Sequence, residues 1–163
     1  MTPTPATAAV RVRRAELSDL DDLVALEENT FDSDRMSRAQ YRRHLDSDSA
    51  QVLVASASHR RFLGTAVVFF RKGSGVARLY SLASRPDARG KGVGSALLEA
   101  SEEATRLRGG RVLRLEVRAD NVAAMRLYER LGYRRFGRIA GYYQDGADAW
   151  RYQKTLADRA TAA

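Results

Sequence analysis

The chain has 163 residues, 44% hydrophobic and 29% charged, with a formal net charge of +8 and no cysteine. That length and balance suit one globular domain with a real core. No apolar run approaches the roughly 18 residues of a bilayer span, and the missing cysteines exclude disulfides, thiolate metal sites and cysteine nucleophiles.

All basic residues except Lys72, Lys91 and Lys154 are arginine, and acids interrupt them along the chain. This pattern reads as a solvated arginine-rich surface, or as a basic field that attracts an anionic ligand. The arginines are not clustered with aromatics as single-stranded nucleic-acid binders require, so no nucleic-acid partner is expected. A cysteine-free chain without a long apolar run is compatible with the cytoplasm, as monomer or homodimer, with no membrane partner.

Residues 1–9 lack a basic start and an apolar core, so they read as a disordered leader rather than a signal peptide. Residues 158–163 read as a frayed tail, leaving 10–157 as the folded domain. Ser18 reads as a helix N-cap with Asp19, Asp21 and Asp22 in the first turn, followed by Leu20, Leu23, Val24 and Glu27 at helical spacing. A second short helix is predicted from Ser37, carrying Tyr41 and Leu45. Residues 51–55 and 63–70 read as a hairpin, and 77–83 as the next strand. Residues 93–108 are helical, stopped by Gly109 and Gly110, and 112–117 form a strand; this strand–helix–strand unit implies a parallel pair. A helix over 121–131 ends at Gly132, and 133–139 and 147–154 close the chain as antiparallel strands. The sum is one α/β domain with a mixed sheet.

The stretch Arg89-Gly90-Lys91-Gly92-Val93-Gly94-Ser95 sits where the third strand meets the long helix. Glycines there let the backbone turn sharply, and a helix start offers free N–H groups and a positive dipole end, which together hold phosphate. A nucleotide P-loop requires its lysine after the last glycine, whereas Lys91 precedes Gly92 and Gly94. A dinucleotide fingerprint requires a third glycine where Ser95 stands; with only one strand–helix–strand unit it remains a minor alternative, although Glu116 lies at a suitable distance.

Arg89, Gly92 and Gly94 instead fit an Arg-x-x-Gly-x-Gly pattern. It is followed in order by Leu115-Glu116-Val117-Arg118, by Asn121, by residues 127–133 around Tyr128 and Gly132, and by Tyr142-Tyr143. This set resembles the GNAT family of N-acetyltransferases over nearly the whole folded chain, and most resembles the branch acting on protein N-terminal α-amines, including ribosomal-protein alanine acetyltransferases. The resemblance implies a single domain whose mixed, mostly antiparallel sheet carries a central parallel pair splayed around the cofactor, with helices on both faces. It also implies acetyl-CoA as cofactor, with CoA as product and no metal.

By the same resemblance, the backbone of Gly90, Lys91, Gly92, Val93, Gly94 and Ser95 wraps the CoA pyrophosphate, with Arg89 adding charge. Leu82, Ala83 and Ser84 run beside the pantetheine arm, with Ser84 where the family usually has an aliphatic residue; Asn121 and Ala124 also touch the cofactor. Glu116 is implied as general base and Tyr128 as general acid. Tyr142 and Tyr143 are implied around the acceptor amine, with Phe31 and Met36, between the first two helices, as weaker candidates. On the residues alone, alternation puts Arg114, Glu116 and Arg118 on one strand face, so Glu116 is either a cleft carboxylate or the ion-pair partner of Arg114 or Arg118. Tyr128 could equally be core, and Asn121 a helix cap. His44 and His59 read as surface residues. The acceptor is expected to be a protein or peptide N-terminus, with a small amine or lysine as alternative, or else no acceptor at all in a non-catalytic acyl-CoA sensor.

Overall fold

Alternating apolar residues in the strands and an apolar stripe on each helix build two cores, one on each face of a single sheet. A computed structural model describes residues 9–157, so the expected leader over 1–8 and tail over 158–163 lie outside the described residues. The strands are β1 (Arg11–Arg14), β2 (Ala50–Ala57), β3 (Arg61–Phe69), β4 (Val76–Ser84), β5 (Val112–Arg118), β6 (Arg134–Ile139) and β7 (Ala149–Thr155). The helices are α1 (Leu20–Thr30), α2 (Arg38–Leu45), α3 (Val93–Leu107) and α4 (Val122–Arg130). The sheet order is β1-β2-β3-β4-β5-β7-β6, antiparallel throughout except for the parallel β4–β5 pair. The α/β class, the mixed sheet and the helices on both faces are as expected.

Beneath α3 and α4, Leu79, Leu97, Leu98, Leu113, Leu115, Val117 and Tyr152 form the larger core. Beneath α1 and α2, Leu20, Leu23, Leu26, Tyr41, Val52, Val54 and Val67 form the second. β3 supplies residues to both cores and is buried along most of its length, as a central strand covered on both faces should be.

β1 has no counterpart in the sequence reading. It carries one apolar residue, Val12, among arginines, and it forms because residues 53–56 of β2 offer it a backbone edge. The other edge, β6, is equally basic: Arg134, Arg135 and Arg138 are exposed. Much of the arginine surplus therefore guards the two sheet edges, where charge discourages pairing with a further chain.

The start of α1 also differs. Ser18 lies inside a short 3₁₀ turn, Leu17–Asp19, and caps nothing. Asp19 is buried and takes both Nη atoms of Arg13 at 2.7 and 2.8 Å and the Glu16 N–H at 2.7 Å. The Arg13 hydrogen bonds hold its carboxyl below the usual aspartate range against the opposing effect of burial. The capping group thus ties β1 to α1. For α2 the expected cap is present: Gln40 N–H donates to Ser37 Oγ at 3.1 Å, and Ser37 N–H to Gln40 Oε1 at 2.7 Å.

A buried pair clamps α1 to α2. Tyr41, fully buried, donates to Glu27 Oε1 at 2.6 Å. Burial raises the Glu27 carboxyl above its ordinary range, more than the Tyr41 hydrogen bond lowers it. A carboxyl that holds its proton more tightly when folded contributes most as an acid, and that contribution is lost as pH rises through its folded pKa. Urea midpoints should therefore fall from about pH 5 to about pH 7.5 by more in the native chain than in Glu27→Gln, which keeps an acceptor for Tyr41. An equal fall in both would show that Glu27 does not carry the dependence.

Candidate active site

The parallel pairing of β4 and β5 lasts only from Val76↔Val112 to Leu79↔Leu115. Beyond it, residues 81–84 of β4 pair with β3 alone and residues 116–118 of β5 pair with β7 alone. The expected parallel pair is present, but it is shorter than the predicted strands 77–83 and 112–117, because β4 leaves β5 after Leu79. The departure coincides with a register shift against β3, where Val68 faces Leu79 and Val67 faces Ser81, so Tyr80 is the extra residue of a bulge. A bulge exchanges the faces of every following residue. Leu79 accordingly belongs to the α3 core, whereas Ala83 joins the α1 core and Leu82 packs towards α3. The result is a wedge-shaped slot with one unpaired main-chain edge on each side.

The glycine loop lies at the α3 end of this slot. Gly90 and Gly92 have φ of +80° and +78°, and Gly92 is the N-terminal flanking residue of α3. Neither would meet an atom within 4 Å if given a Cβ, so left-handed backbone geometry requires glycine there. Gly94 is different: its Cβ would lie 2.9 Å from Leu127 Cδ2, so its smallness lets α4 approach α3. Among the described residues no hydrogen bond reaches the N–H groups of Gly90, Gly92, Val93, Gly94 or Ser95; the first helical bond is from Ala96 N–H to Gly92 O at 3.0 Å. These free donors and the positive end of α3 form an anion cradle. Arg89 and Lys91 are both exposed beside it. Gly64, which the sequence reading passed over, brings β3 close under this end: a Cβ there would lie 2.6 Å from Ala83 O and 3.1 Å from Val93 Cγ1.

Arg114, Glu116 and Arg118 do share one face of β5, with Leu113, Leu115 and Val117 buried on the other. The partners of Glu116 are neither of its neighbours on that face. Arg78 Nε donates to Glu116 Oε2 at 3.1 Å, and Arg151 Nε lies 3.8 Å from Oε1. Arg114 turns to Gln153 at 2.8 Å, and Arg118 to Asp145 and Asp120. Arg78 also donates to the Tyr142 hydroxyl, so β4, β5 and the β6–β7 loop meet at one guanidinium. The sequence signal for Arg78 is present: Arg78 and Tyr80 alternate with apolar Ala77 and Leu79, the same one-sided polarity as in β5.

Tyr128 lies on the opposite face, 6% exposed, with its ring 5.9 Å from Tyr133 and 6.3 Å from Tyr152. Its hydroxyl makes no hydrogen bond among the described residues, and burial raises its pKa well above the phenol range, so it stays protonated near neutrality. Tyr143 links the two faces. Its own pKa is pushed up to about 12, by burial first and then by Tyr142 and Glu116, and it contributes in turn to the rise at Tyr128. Tyr142 and Tyr143 pack edge to face at 4.9 Å, on a loop fastened to the α1–α2 loop by Gln144 N–H donating to Asp34 Oδ2 at 3.1 Å.

Other expected site residues fall as follows. Asn121 caps α4 by accepting the Ala124 N–H at 3.1 Å, which occupies that donor and leaves only the Asn121 amide N–H₂ facing outward. Phe31 is half-buried at the end of α1, whereas Met36 is part of the core. His44 is not a plain surface residue: it is half-buried, its ring stacks 4.9 Å from Phe69, and burial lowers its pKa. Among the described residues no three His, Cys, Asp or Glu side chains gather as a metal site would require, and no helix is long and apolar enough to cross a membrane.

The site thus consists of an α/β sheet that parts between two parallel strands, with an N–H cradle on one side of the gap and a carboxylate on the other. A profile of the Acetyltransferase (GNAT) family matches residues 17–133, and the chain belongs to that family. N-alpha-acetyltransferase 30 of Schizosaccharomyces pombe is 45% identical over 64 residues, 39% of this chain and 43% of that protein, so this chain spans less than half the length of that relative. A putative ribosomal protein bS18-alanine N-acetyltransferase of Bacillus subtilis is 29% identical over 141 residues, 85% of this chain and 90% of its own. The structure of Ard1 from Thermoplasma volcanium superposes with a TM-score of 0.81 over 92% of this chain and 99% of that one; at 24% identity the likeness is one of fold.

Proposed function

We propose that this chain transfers acetyl from acetyl-CoA to the N-terminal α-amine of a protein or peptide, by direct attack while both substrates are bound. The observation that carries this reading is the parting of β4 from β5, which leaves the β5-facing edge of residues 80–84 unpaired close to Glu116, next to the free N–H groups of residue 90 and residues 92–95 at the start of α3. The named activities of the relatives in S. pombe and B. subtilis support it.

The residues fit the cofactor chemically. The cradle would hold a pyrophosphate through main-chain donors, and residues 82–84 would pair with the amides of an extended arm as an added strand. When bound, acetyl-CoA supplies an acyl carbon that accepts an amine and a thiolate that departs. Glu116, on the α1–α2 face, takes a proton from the acceptor ammonium directly or through one water, and the arriving ammonium shares the carboxylate with Arg78. The neutral amine would form its C–N bond as the C–S bond breaks, and its nitrogen would release the second proton to water once Glu116 has passed on the first; the Tyr128 hydroxyl, on the α3–α4 face, would give its proton to sulfur and regain one from solvent. With no cysteine in the chain there is no thiol to carry the acetyl group between the two substrates.

An α-amine suits this arrangement better than a lysine. Its pKa of about 7.7–8.0 leaves a useful neutral fraction near pH 7, whereas a lysine at about 10.4 is neutral only about once in a thousand molecules. Acetyl-CoA turnover against N-terminal peptides, lysine peptides and small amines, read by mass spectrometry, tests the proposal; release of CoA only with small amines would replace the acceptor, and none with any amine would favour an acyl-CoA sensor.

Glu116→Gln should lower kcat by about 10²-fold or more, with the KM for acetyl-CoA little changed. Near-native turnover would reject the base role.

A further inference from the structure

Helices α1 and α2 roof the sheet over β2 to β4, and their core contains no residue of β5, β6 or β7. The same face of those three strands is open, and it is basic and aromatic. Tyr80, Phe136 and Tyr142 are exposed at 42%, 39% and 37%. Phe136, the extra residue of a bulge between Arg135 and Gly137 on β6, is held between two guanidiniums, 5.1 Å from Arg114 and 4.7 Å from Arg151. Arg114 meets no carboxylate among the described residues, and Arg151 Nε is buried without a hydrogen-bond partner. Arg78, Arg114 and Arg151 thus face a single acid, Glu116, whereas Arg118 is neutralised by Asp120 and Asp145.

This surface begins at the amine site and leads away from it. Arg114 stands two residues before Glu116 on β5, a span of about 6.6 Å, which is also two residues of an extended peptide. On the opposite wall the α1–α2 loop brings Asp34 to the Tyr143 side of the site, where it accepts the Gln144 N–H. The arginines without a full share of acid therefore lie on β4, β5 and β7, beneath the path of the residues that follow the amine.

Building on the N-terminal acetyltransferase reading, we infer that the open β5–β7–β6 face binds the acceptor's second and third residues and selects acidic ones there. Complementary charge on a half-buried arginine surface held by ring contacts favours an acidic segment and repels a basic one.

The test uses synthetic peptides that share one N-terminal residue and differ at positions two and three: Asp-Glu, Ser-Gln or Lys-Arg. The acidic peptide should show kcat/KM about tenfold above the neutral one and the basic peptide about tenfold below, with both gaps closing as salt is raised. Arg114→Glu should reverse the order of acidic and basic peptides, each read as a ratio to the neutral peptide in the same variant, and Arg114→Gln should erase the preference without reversing it. A flat ranking with neutral peptides still turned over overturns this inference and leaves the proposed function standing. Flat ranking together with single-stranded RNA binding that Arg114→Glu abolishes also overturns it, and assigns the face to nucleic acid. Acetylation of small amines but of no peptide overturns both readings.

Discussion

Tyr128→Phe is expected to reduce kcat by about 10²- to 10³-fold while acetyl-CoA still binds with near-native affinity. The substitution removes one oxygen and leaves the ring that packs against Tyr133 and Tyr152, so the core beneath α4 persists. The hydroxyl is well suited to a donor role because nothing among the described residues competes for its proton, and burial keeps it protonated throughout the working pH range. Without it, the thiolate would leave unprotonated into a closed slot, and the barrier to C–S cleavage would rise. Stopped-flow or single-turnover measurement separates this step from product release, and calorimetry reports cofactor affinity. Native turnover in Tyr128→Phe would make Tyr128 a core residue and return the acid role to solvent.

Gly92→Val is expected to weaken acetyl-CoA binding by about tenfold or more, because a β-branched residue resists the left-handed geometry by roughly 1–2 kcal/mol. The space around this glycine is open, so the effect comes from backbone conformation and not from a clash. Moving Gly92 out of φ +78° would swing the free N–H groups of residues 92–95 away from a common point. Gly94→Ala makes the informative contrast. Its new methyl meets the flexible end of Leu127, which can yield, so it should cost less affinity and act through the α3–α4 contact. Calorimetric titration on both variants reads the difference. Unchanged affinity in Gly92→Val would separate the loop from the cofactor.

The residues most legible from sequence were those whose signal is local. The glycine loop declares itself by spacing, the start of α2 by Ser37, and the two-faced character of β5 by alternation. Where a role depends on a partner far away in the chain, the signal fails. Ser18 has the composition of a cap, but Asp19 is the residue that Arg13 reaches across from β1. Glu116 was recognisable as a cleft carboxylate, yet its partners come from β4 and β7, 38 residues before it in one case. Met36 looked like a candidate for the acceptor wall and is core, because the turn between α1 and α2 folds it inward.

By itself the sequence determined the class of fold and the glycine-rich helix start over residues 89–95, since each follows from residue type and short-range spacing; the roles of Glu116 and Tyr128 came from the family resemblance. Only the tertiary structure decided where the sheet opens. One extra residue at Tyr80 exchanges the faces of β4, and β4 leaves β5 at that point. That departure sets Glu116 on one face and Tyr128 on the other, and leaves the arginine face of β5, β6 and β7 without a roof. Register and bulge position arise from pairing between distant segments, which periodicity along a single chain does not record.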